Sequence, residues 1–180
     1  MNQTKIDYVD ATWNPTSGCT DEFPCWDICW ARRMANRLRG RCGYDAKQPF
    51  RPTFHPERLD EPLRMKKPKR IAVSFMGDLW NSAVPQQCQA DVLSAALRAY
   101  RARGHTFLFL TKRPENMANT VRTWLASADF RFLPRKIPAT FWFGTSIANQ
   151  ADADARLPHL LKCPGNLWVS YEPMQGPVRI

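Results

Sequence analysis

The feature that most constrains the fold is a repeated alternation of short apolar segments with amphipathic ones. Four segments rich in β-branched and aromatic residues are predicted to be strands: Arg70–Phe75, Thr106–Thr111, Thr140–Thr145 and Leu167–Tyr171. Their apolar character is almost continuous, which is typical of strands covered on both faces. A fifth, weaker strand is predicted at Ile6–Val9.

The segments between the strands carry helical patterns. The predicted helices are Cys29–Arg39, His55–Met65, Gln86–Arg103, Pro114–Ser127 and Asn149–Lys162. In the first of them Trp30, Met34 and Leu38 share one face at a spacing of four. Successive strands start about 30 residues apart, the length of one β-α-β unit. The pattern therefore predicts an α/β fold with parallel strands and helices outside, either an open sheet or part of a (β/α) barrel.

The length of the chain bounds this architecture. The 180 residues suit a single domain over 1–180. A complete eight-unit barrel usually needs about 250 residues. We therefore expect a partial barrel, a C-terminally truncated form, or a sheet edge that a partner covers.

Composition excludes several classes of protein. Hydrophobic residues make up 44% and charged residues 23%, which rules out wholesale disorder. No apolar run approaches the roughly 18 residues of a membrane span. The first residues lack the apolar stretch of a signal peptide, which favours the cytoplasm. There, the six cysteines are expected to be metal ligands or reduced thiols rather than disulfides.

Three cysteines, Cys19, Cys25 and Cys29, fall close together just before and at the start of the first helix. Thiolates suit iron–sulfur clusters and zinc, so this spacing predicts a metal site. In a [4Fe–4S] cluster, three protein ligands leave one iron open; in a zinc site, His55 or Cys42 would complete the set. The alternative is three unconnected thiols. Cys88 and Cys163 are expected to be ordinary packed or surface thiols.

The charge leaves a second partner open. Lysine and arginine number 26 against 16 acidic residues, a formal net charge of +10. Two basic clusters stand out, Arg32–Arg41 and Arg64–Arg70. Such runs are usually solvated faces, and the alternative is a nucleic-acid surface with Phe50, Phe54 and Trp80 available for stacking.

Several motifs in order carry a family resemblance. They are Asp10-Ala-Thr-Trp-Asn-Pro-Thr-Ser-Gly-Cys19, Cys29-Trp-Ala-Arg-Arg-Met34, His55-Pro-Glu-Arg-Leu-Asp-Glu-Pro-Leu63, Met76-Gly-Asp-Leu79, Leu110-Thr-Lys-Arg-Pro-Glu115, Gly144-Thr-Ser-Ile-Ala-Asn-Gln150 and Tyr171-Glu-Pro-Met-Gln-Gly-Pro177. The chain resembles the bacteriophage gene-product-37/gene-product-68 family, whose three-cysteine motif is related to that of radical S-adenosylmethionine enzymes. It departs from that family in the position of the middle cysteine, Cys25, and in lacking a further strand after the last motif.

The resemblance implies a fold, a site and cofactors. The fold would be a partial (β/α) barrel of the radical S-adenosylmethionine type. Cys19, Cys25 and Cys29 would hold a [4Fe–4S] cluster whose fourth iron binds S-adenosylmethionine, with reduction releasing a 5′-deoxyadenosyl radical. Trp30 would lie near the adenine; alternatively it belongs to a buried helix face. Relatives are often encoded beside a three-Cys-motif protein, which implies a partner protein.

Polar residues at the ends of the predicted strands are the remaining candidates for the cofactor or substrate site. They are Asp78, Lys112, Arg113, Ser146, Asn149 and Glu172. Parallel folds bind ligands at the carboxyl ends of their strands. A basic residue could pair with a carboxylate or phosphate, an acidic one with ribose hydroxyls or an ammonium group, and Ser146 or Asn149 with the adenosyl group. The alternatives are helix caps and ion pairs, and Asn149 is a good candidate for an N-cap.

Overall fold

The computed structural model describes residues 2–4, 6–20, 26–126 and 136–179. Its strands are β1 (Asn2–Gln3), β2 (Ala11–Trp13), β3 (Thr16–Ser17), β4 (Thr53–Phe54), β5 (Arg70–Val73), β6 (Thr106–Thr111), β7 (Phe141–Ile147) and β8 (Asn166–Tyr171). Its α-helices are α1 (Trp30–Arg37), α2 (Gln86–Arg103), α3 (Pro114–Leu125) and α4 (Gln150–Leu160). Two short 3₁₀-helices cover Pro56–Arg58 and Glu61–Arg64.

The main sheet runs in the order β1-β2-β5-β6-β7-β8. The five strands from β2 to β8 are parallel, and β1 pairs antiparallel with β2 at the edge. Ile71, Phe107 and Phe141 lie in one cross-strand row. The spatial order follows the chain order, so right-handed crossovers bring successive helices onto the same face.

That helix-covered face contains the core. Rows of sheet residues such as Val73, Phe109 and Phe143 join one buried cluster with Leu93 of α2 and Val121 of α3. The rings of Phe109 and Phe143 stack with centroids 5.1 Å apart. Helix α2 contacts α3, and α3 contacts α4, as expected for a helical layer that follows the strands in sequence. The prediction of a parallel sheet flanked by helices is confirmed.

The opposite face of the sheet is less covered. Leu108 and Leu110 are half-buried, and Trp142 is 39% exposed. The indole of Trp168 lies against the backbone of Gly144, where any Cβ would collide with it, and donates to the Phe109 carbonyl at 3.1 Å. The less covered face is therefore aromatic.

A small second sheet pairs β3 with β4 in antiparallel register. It is fastened by a buried hydrogen bond of 2.8 Å between Ser17 Oγ and His55 Nε2. Thr16 Oγ1 also donates to Ser74 Oγ at 2.7 Å, which joins this sheet to the loop after β5. Among the described residues, no helix has the length and apolar character needed to cross a membrane.

The predicted elements agree with the structure where the pattern is long and regular. The strand Thr106–Thr111 and the helix Gln86–Arg103 have the predicted bounds, and the other three main strands differ by one or two residues at their ends. The strand predicted at Ile6–Val9 is wrong, because the chain turns there before β2. The helix predicted at His55–Met65 is also wrong as a single α-helix, because two separate 3₁₀ turns form there, with Pro56 and Pro62 in their first two positions.

Candidate functional site

Asp78 is the centre of a buried polar network at the carboxyl ends of β5 and β6. The carboxylate accepts hydrogen bonds from Thr111 Oγ1 at 2.7 Å, from the Trp80 amide at 3.0 Å and from the Lys112 amide at 3.4 Å. Arg113 forms an ion pair with it at 2.9 Å, and both side chains are more than nine-tenths buried. We call the set of Asp78, Thr111, Arg113, Thr20 and Asn81 the Asp78 network.

The network reaches the first cysteine of the motif. Arg113 donates to Thr20 Oγ1 at 2.9 Å, and one of its nitrogens lies 3.6 Å from Cys19 Sγ. Asn81 repeats this pattern, with its amide nitrogen 2.9 Å from Thr20 Oγ1 and 3.7 Å from Cys19 Sγ. Two N–H donors therefore point at one sulfur, an arrangement that stabilises negative charge on a thiolate or on a cluster sulfur.

Two glycines make this approach possible. Gly18 and Gly77 form an isolated parallel bridge. A Cβ at Gly77 would collide with the backbone of Gly18, and one at Gly18 would collide with the backbone of Arg51. Gly18 also has φ of 85°, which favours glycine. These close contacts place Cys19 directly beside the loop that carries Asp78.

Cys19 and Cys29 come together on one small apolar cluster. Both half-buried cysteines pack against a group of buried residues made of Ala31, Ala35, Tyr44 and Phe50. The third predicted ligand, Cys25, lies outside the described residues. Over the residues that are described, no group of three or more His, Cys, Asp or Glu side chains is arranged to hold a metal. The three-cysteine site therefore stays a prediction.

Burial and the Asp78 charge act against Arg113 on the pKa of the Cys19 thiol. Desolvation raises the pKa of the Cys19 thiol, and the Asp78 carboxylate raises it further. The hydrogen bond from Arg113 and its positive charge lower the pKa. The protein part alone therefore favours the neutral thiol, and a bound metal would have to supply the stabilisation of a thiolate.

The other residues predicted at strand ends have different surroundings. Lys112 is half-buried and Glu172 is exposed. Ser146 is buried, and its carbonyl accepts from Arg156 at 2.7 Å. Asn149 accepts from the Asp152 amide at 2.9 Å, so it is the N-cap of α4. The structure gathers Asp78 and Arg113 around Cys19 and records no contact of the other four side chains with that sulfur.

Of the two alternatives for Trp30, a place on a buried helix face is wrong, although Leu38 of that face packs against the small apolar cluster. Trp30 is 55% exposed and Met34 is 39% exposed, whereas Ala31 and Ala35 are buried. The stacking aromatics proposed for nucleic acid are also misplaced, since Phe50 and Trp80 are buried and Phe54 is partly buried. Their rings are occupied by packing inside the protein.

The zinc alternative has no support in the contacts of its proposed fourth ligands. His55 is 3% exposed, its Nε2 bonds Ser17 and its Nδ1 lies 3.6 Å from Glu57. Cys42 is exposed, and among the described residues no metal-binding group includes it. Cys163 is a packed thiol as expected, and burial raises its pKa to about 12.

Sequence reasoning missed Thr20 and Asn81. Both are short polar residues in loops, and their role depends on a contact between segments about 60 residues apart. The available signal was position: Thr20 directly follows a predicted ligand, and Asn81 lies three residues after Asp78.

Comparison with known proteins adds the family. No curated protein and no solved structure was found to match the chain. One family model, described as "Protein of unknown function (DUF5131)", matches residues 3–180. Because the match covers nearly the whole sequence, with the Cys19 segment and the Asp78 network inside it, this chain belongs to the DUF5131 family.

Proposed function

We propose that this chain is a cytoplasmic iron–sulfur protein of the radical S-adenosylmethionine type, built on a partial (β/α) barrel and of phage origin. The observation that carries the proposal is the placement of Cys19. Its sulfur lies at the carboxyl edge of a parallel sheet, where such folds bind ligands, and two buried N–H donors approach it. The sequential strand order with helices on one face is what a partial barrel requires.

The donor set fits a cluster with one open iron. Cys19 and Cys29 pack against the same group of apolar side chains, and Cys25 lies between them in the sequence. Three soft thiolates and N–H donors to sulfur are the ligands and surroundings that iron–sulfur clusters use. The chemistry supplied by a reduced [4Fe–4S] cluster with S-adenosylmethionine is one-electron cleavage of the sulfonium group.

The protein's own residues would fix the geometry around Cys19 and offset the negative charge on its sulfur. Arg113 and Asn81 donate towards Cys19 Sγ and offset negative charge there. Asp78 fixes the Arg113 guanidinium through the 2.9 Å ion pair, so that the donor stays aimed at the sulfur. Lys112, next in the chain to Arg113, is the candidate partner for the carboxylate of the cofactor. Trp30, Ser146, Asn149 and Glu172 remain the other candidates for cofactor contacts.

Anaerobic purification with iron and sulfide analysis tests the proposal. We expect about four irons and four sulfides per chain, as in a [4Fe–4S] protein, and 5′-deoxyadenosine after reduction with S-adenosylmethionine. Alanine variants of Cys19, Cys25 and Cys29 should lose iron, whereas Cys42→Ala, a change at an exposed cysteine, should retain it. Zinc in place of iron, or full iron content in Cys25→Ala, would contradict the ligand assignment.

A second outcome of the same assay favours a noncatalytic role. A stable cluster without cleavage of the cofactor would indicate a module that uses metal structurally and binds a partner, such as the three-Cys-motif protein that the resemblance implies. Co-purification with a three-Cys-motif protein checks the partner.

A further inference from the structure

The outer face of α1 combines an exposed indole with exposed arginines. Trp30 is 55% exposed, and Arg33 and Arg37 are exposed as well. They stand at positions i, i+3 and i+7 of the helix, which places them on one stripe. We call these three residues the α1 face.

The inner side of the helix is firmly attached, so this face has a defined orientation. Ala31 and Ala35 are buried against Tyr44 and Phe50. Arg33 donates to the Ile28 carbonyl at 2.8 Å, which holds the turn before the helix. The buried side of α1 is therefore formed by Ala31 and Ala35, and the exposed indole takes no part in this packing.

The charge of this segment has one sign. Residues 30–41 contain five arginines and no acidic residue. Within the described part of the chain, Arg32 pairs with Asp27 at 3.6 Å and lies over the Trp26 ring, whereas no ion pair is recorded for Arg33 or Arg37. Arg37 instead accepts at its carbonyl from the Arg41 guanidinium, which brings a further cation to the end of the stripe.

We propose that the α1 face binds single-stranded nucleic acid, with a base stacked on Trp30 and backbone phosphates on Arg33 and Arg37. An exposed aromatic ring beside exposed arginines is the combination that single-strand binding uses. A duplex would hide its base faces from the indole. An anionic membrane would require a longer apolar face than an eight-residue helix with arginines beside its one exposed indole provides. This inference does not rest on the iron–sulfur proposal, because none of the three residues is a predicted metal ligand. Trp30 is also a candidate for a cofactor contact, so binding is measured without S-adenosylmethionine.

The test is fluorescence anisotropy of a labelled oligo-dT of about 12 nucleotides, within the usual site size, with the full chain and no S-adenosylmethionine. Trp30→Ala should weaken binding by about 5- to 150-fold, the range measured for loss of one stacked base. Trp30→Phe should keep most of the affinity, because a ring remains. Arg33→Gln and Arg37→Gln should each reduce the slope of log affinity against log salt by about 0.7.

Two matched controls separate this face from general effects. Arg101→Gln removes the same charge from an exposed position on α2, and Trp142→Ala removes a 39% exposed indole on the sheet. Both should bind like the wild type. The proposal is overturned if the wild type does not bind, if Arg101→Gln lowers the salt slope as much as Arg37→Gln, or if a duplex, a polyglutamate peptide or anionic vesicles bind the same face more tightly.

Iron analysis of the same samples keeps the two proposals apart. Cys19→Ala should lose iron and still bind the oligonucleotide. Oligonucleotide binding that depends on Trp30 in a protein without iron would support the α1 face and contradict the cluster. A protein that holds iron but shows no Trp30-dependent binding would support the cluster and contradict the α1 face.

Discussion

The two cysteines of the motif that the structure describes have different surroundings. We call Cys19 with the Asp78 network the Cys19 wall, and Cys29 with helix α1 the α1 wall. Cys19 adjoins the Asp78 network, where the buried ion pair and the hydrogen bonds of the Thr111 and Thr20 hydroxyls measure 2.7–2.9 Å. Cys29 is the N-cap residue of α1 and makes no side-chain capping bond there. Behind it, the helix is attached through two alanines.

This difference indicates that the surroundings of Cys19 are held more rigidly than those of α1. The Cys19 wall is fixed by the fold itself, because its network joins the ends of β5 and β6 to the Gly18–Gly77 bridge. The α1 wall meets only a small apolar cluster and presents its ring and charges to solvent. In the proposed site, the rigid wall would hold the cofactor and the accessible wall would admit a large ligand.

The largest expected effect is on the Cys19 wall. Asp78→Ala breaks the buried 2.9 Å ion pair with Arg113, so we expect the free energy of unfolding to fall by about 3–5 kcal/mol. Urea denaturation measures it. Asp154→Ala, at an exposed aspartate that accepts from Gln150, is the matched control and should change stability little.

A double variant sharpens that result. Asp78→Leu with Arg113→Met removes both members of the ion pair, so it should be more stable than Asp78→Ala alone, because neither charge of that pair stays buried. If the double variant were the less stable of the two, the cost of Asp78→Ala would not come from breaking the Asp78–Arg113 pair.

The second effect concerns the close approach of the two glycines. Gly77→Ala forces a Cβ into the Gly18 backbone, and we expect a loss of about 1–3 kcal/mol in the free energy of unfolding. In Gly176→Ala the new Cβ would find its nearest neighbour, Asn149 Cβ, at 3.9 Å, so this control should be nearly neutral. Equal losses in both variants would mean that the Gly18–Gly77 contact is not specific.

The same contrast explains which features of the fold and the site could be predicted from the sequence. The predicted bounds of helix α2 are confirmed, and the structure gives the physical reason, since Pro85 precedes it and Gly104 ends it in the left-handed conformation. Asp78 and Arg113 could be found because strand ends of a parallel sheet meet at one edge. Thr20 and Asn81 could not, because only the three-dimensional approach of Gly18 to Gly77 brings their loops together.

The orientation of α1 shows a different limit. Trp30, Met34 and Leu38 repeat every fourth residue, and so do Ala31 and Ala35 one position later. Periodicity cannot choose between two such stripes. The choice is made by Tyr44 and Phe50, whose rings leave room behind the helix for alanine methyl groups.

A third prediction uses pH to probe the Cys19 wall through His55, which bonds Ser17 two residues before the cysteine. Burial lowers the pKa of His55, and the charge of Arg58 lowers it further. The unfolded chain therefore takes up the proton first, so stability should be complete above about pH 6.5 and decline as the pH falls below it. Urea midpoints at pH 7.5 and 5.5 measure the decline.

Two histidine variants assign that decline. His55→Gln should flatten the dependence on pH, although His105, whose pKa burial also lowers, will keep part of it. His159→Gln, which changes a half-exposed histidine in the last turn of α4 outside the small sheet, is the matched control. An unchanged slope in His55→Gln would show that His55 does not couple to folding.

The smallest expected effect lies on the α1 wall. Trp30→Ala and Arg37→Gln remove exposed groups, so each should change the free energy of unfolding by less than about 0.5 kcal/mol. Ala35→Leu on the buried side of the same helix should cost about 1–3 kcal/mol, because the alanine is fully buried. If Trp30→Ala destabilised the protein as much as Ala35→Leu, the indole would be part of the core, and a loss of nucleic-acid binding in that variant would follow from unfolding. A stable Trp30→Ala protein that binds less oligonucleotide separates recognition from folding at this wall.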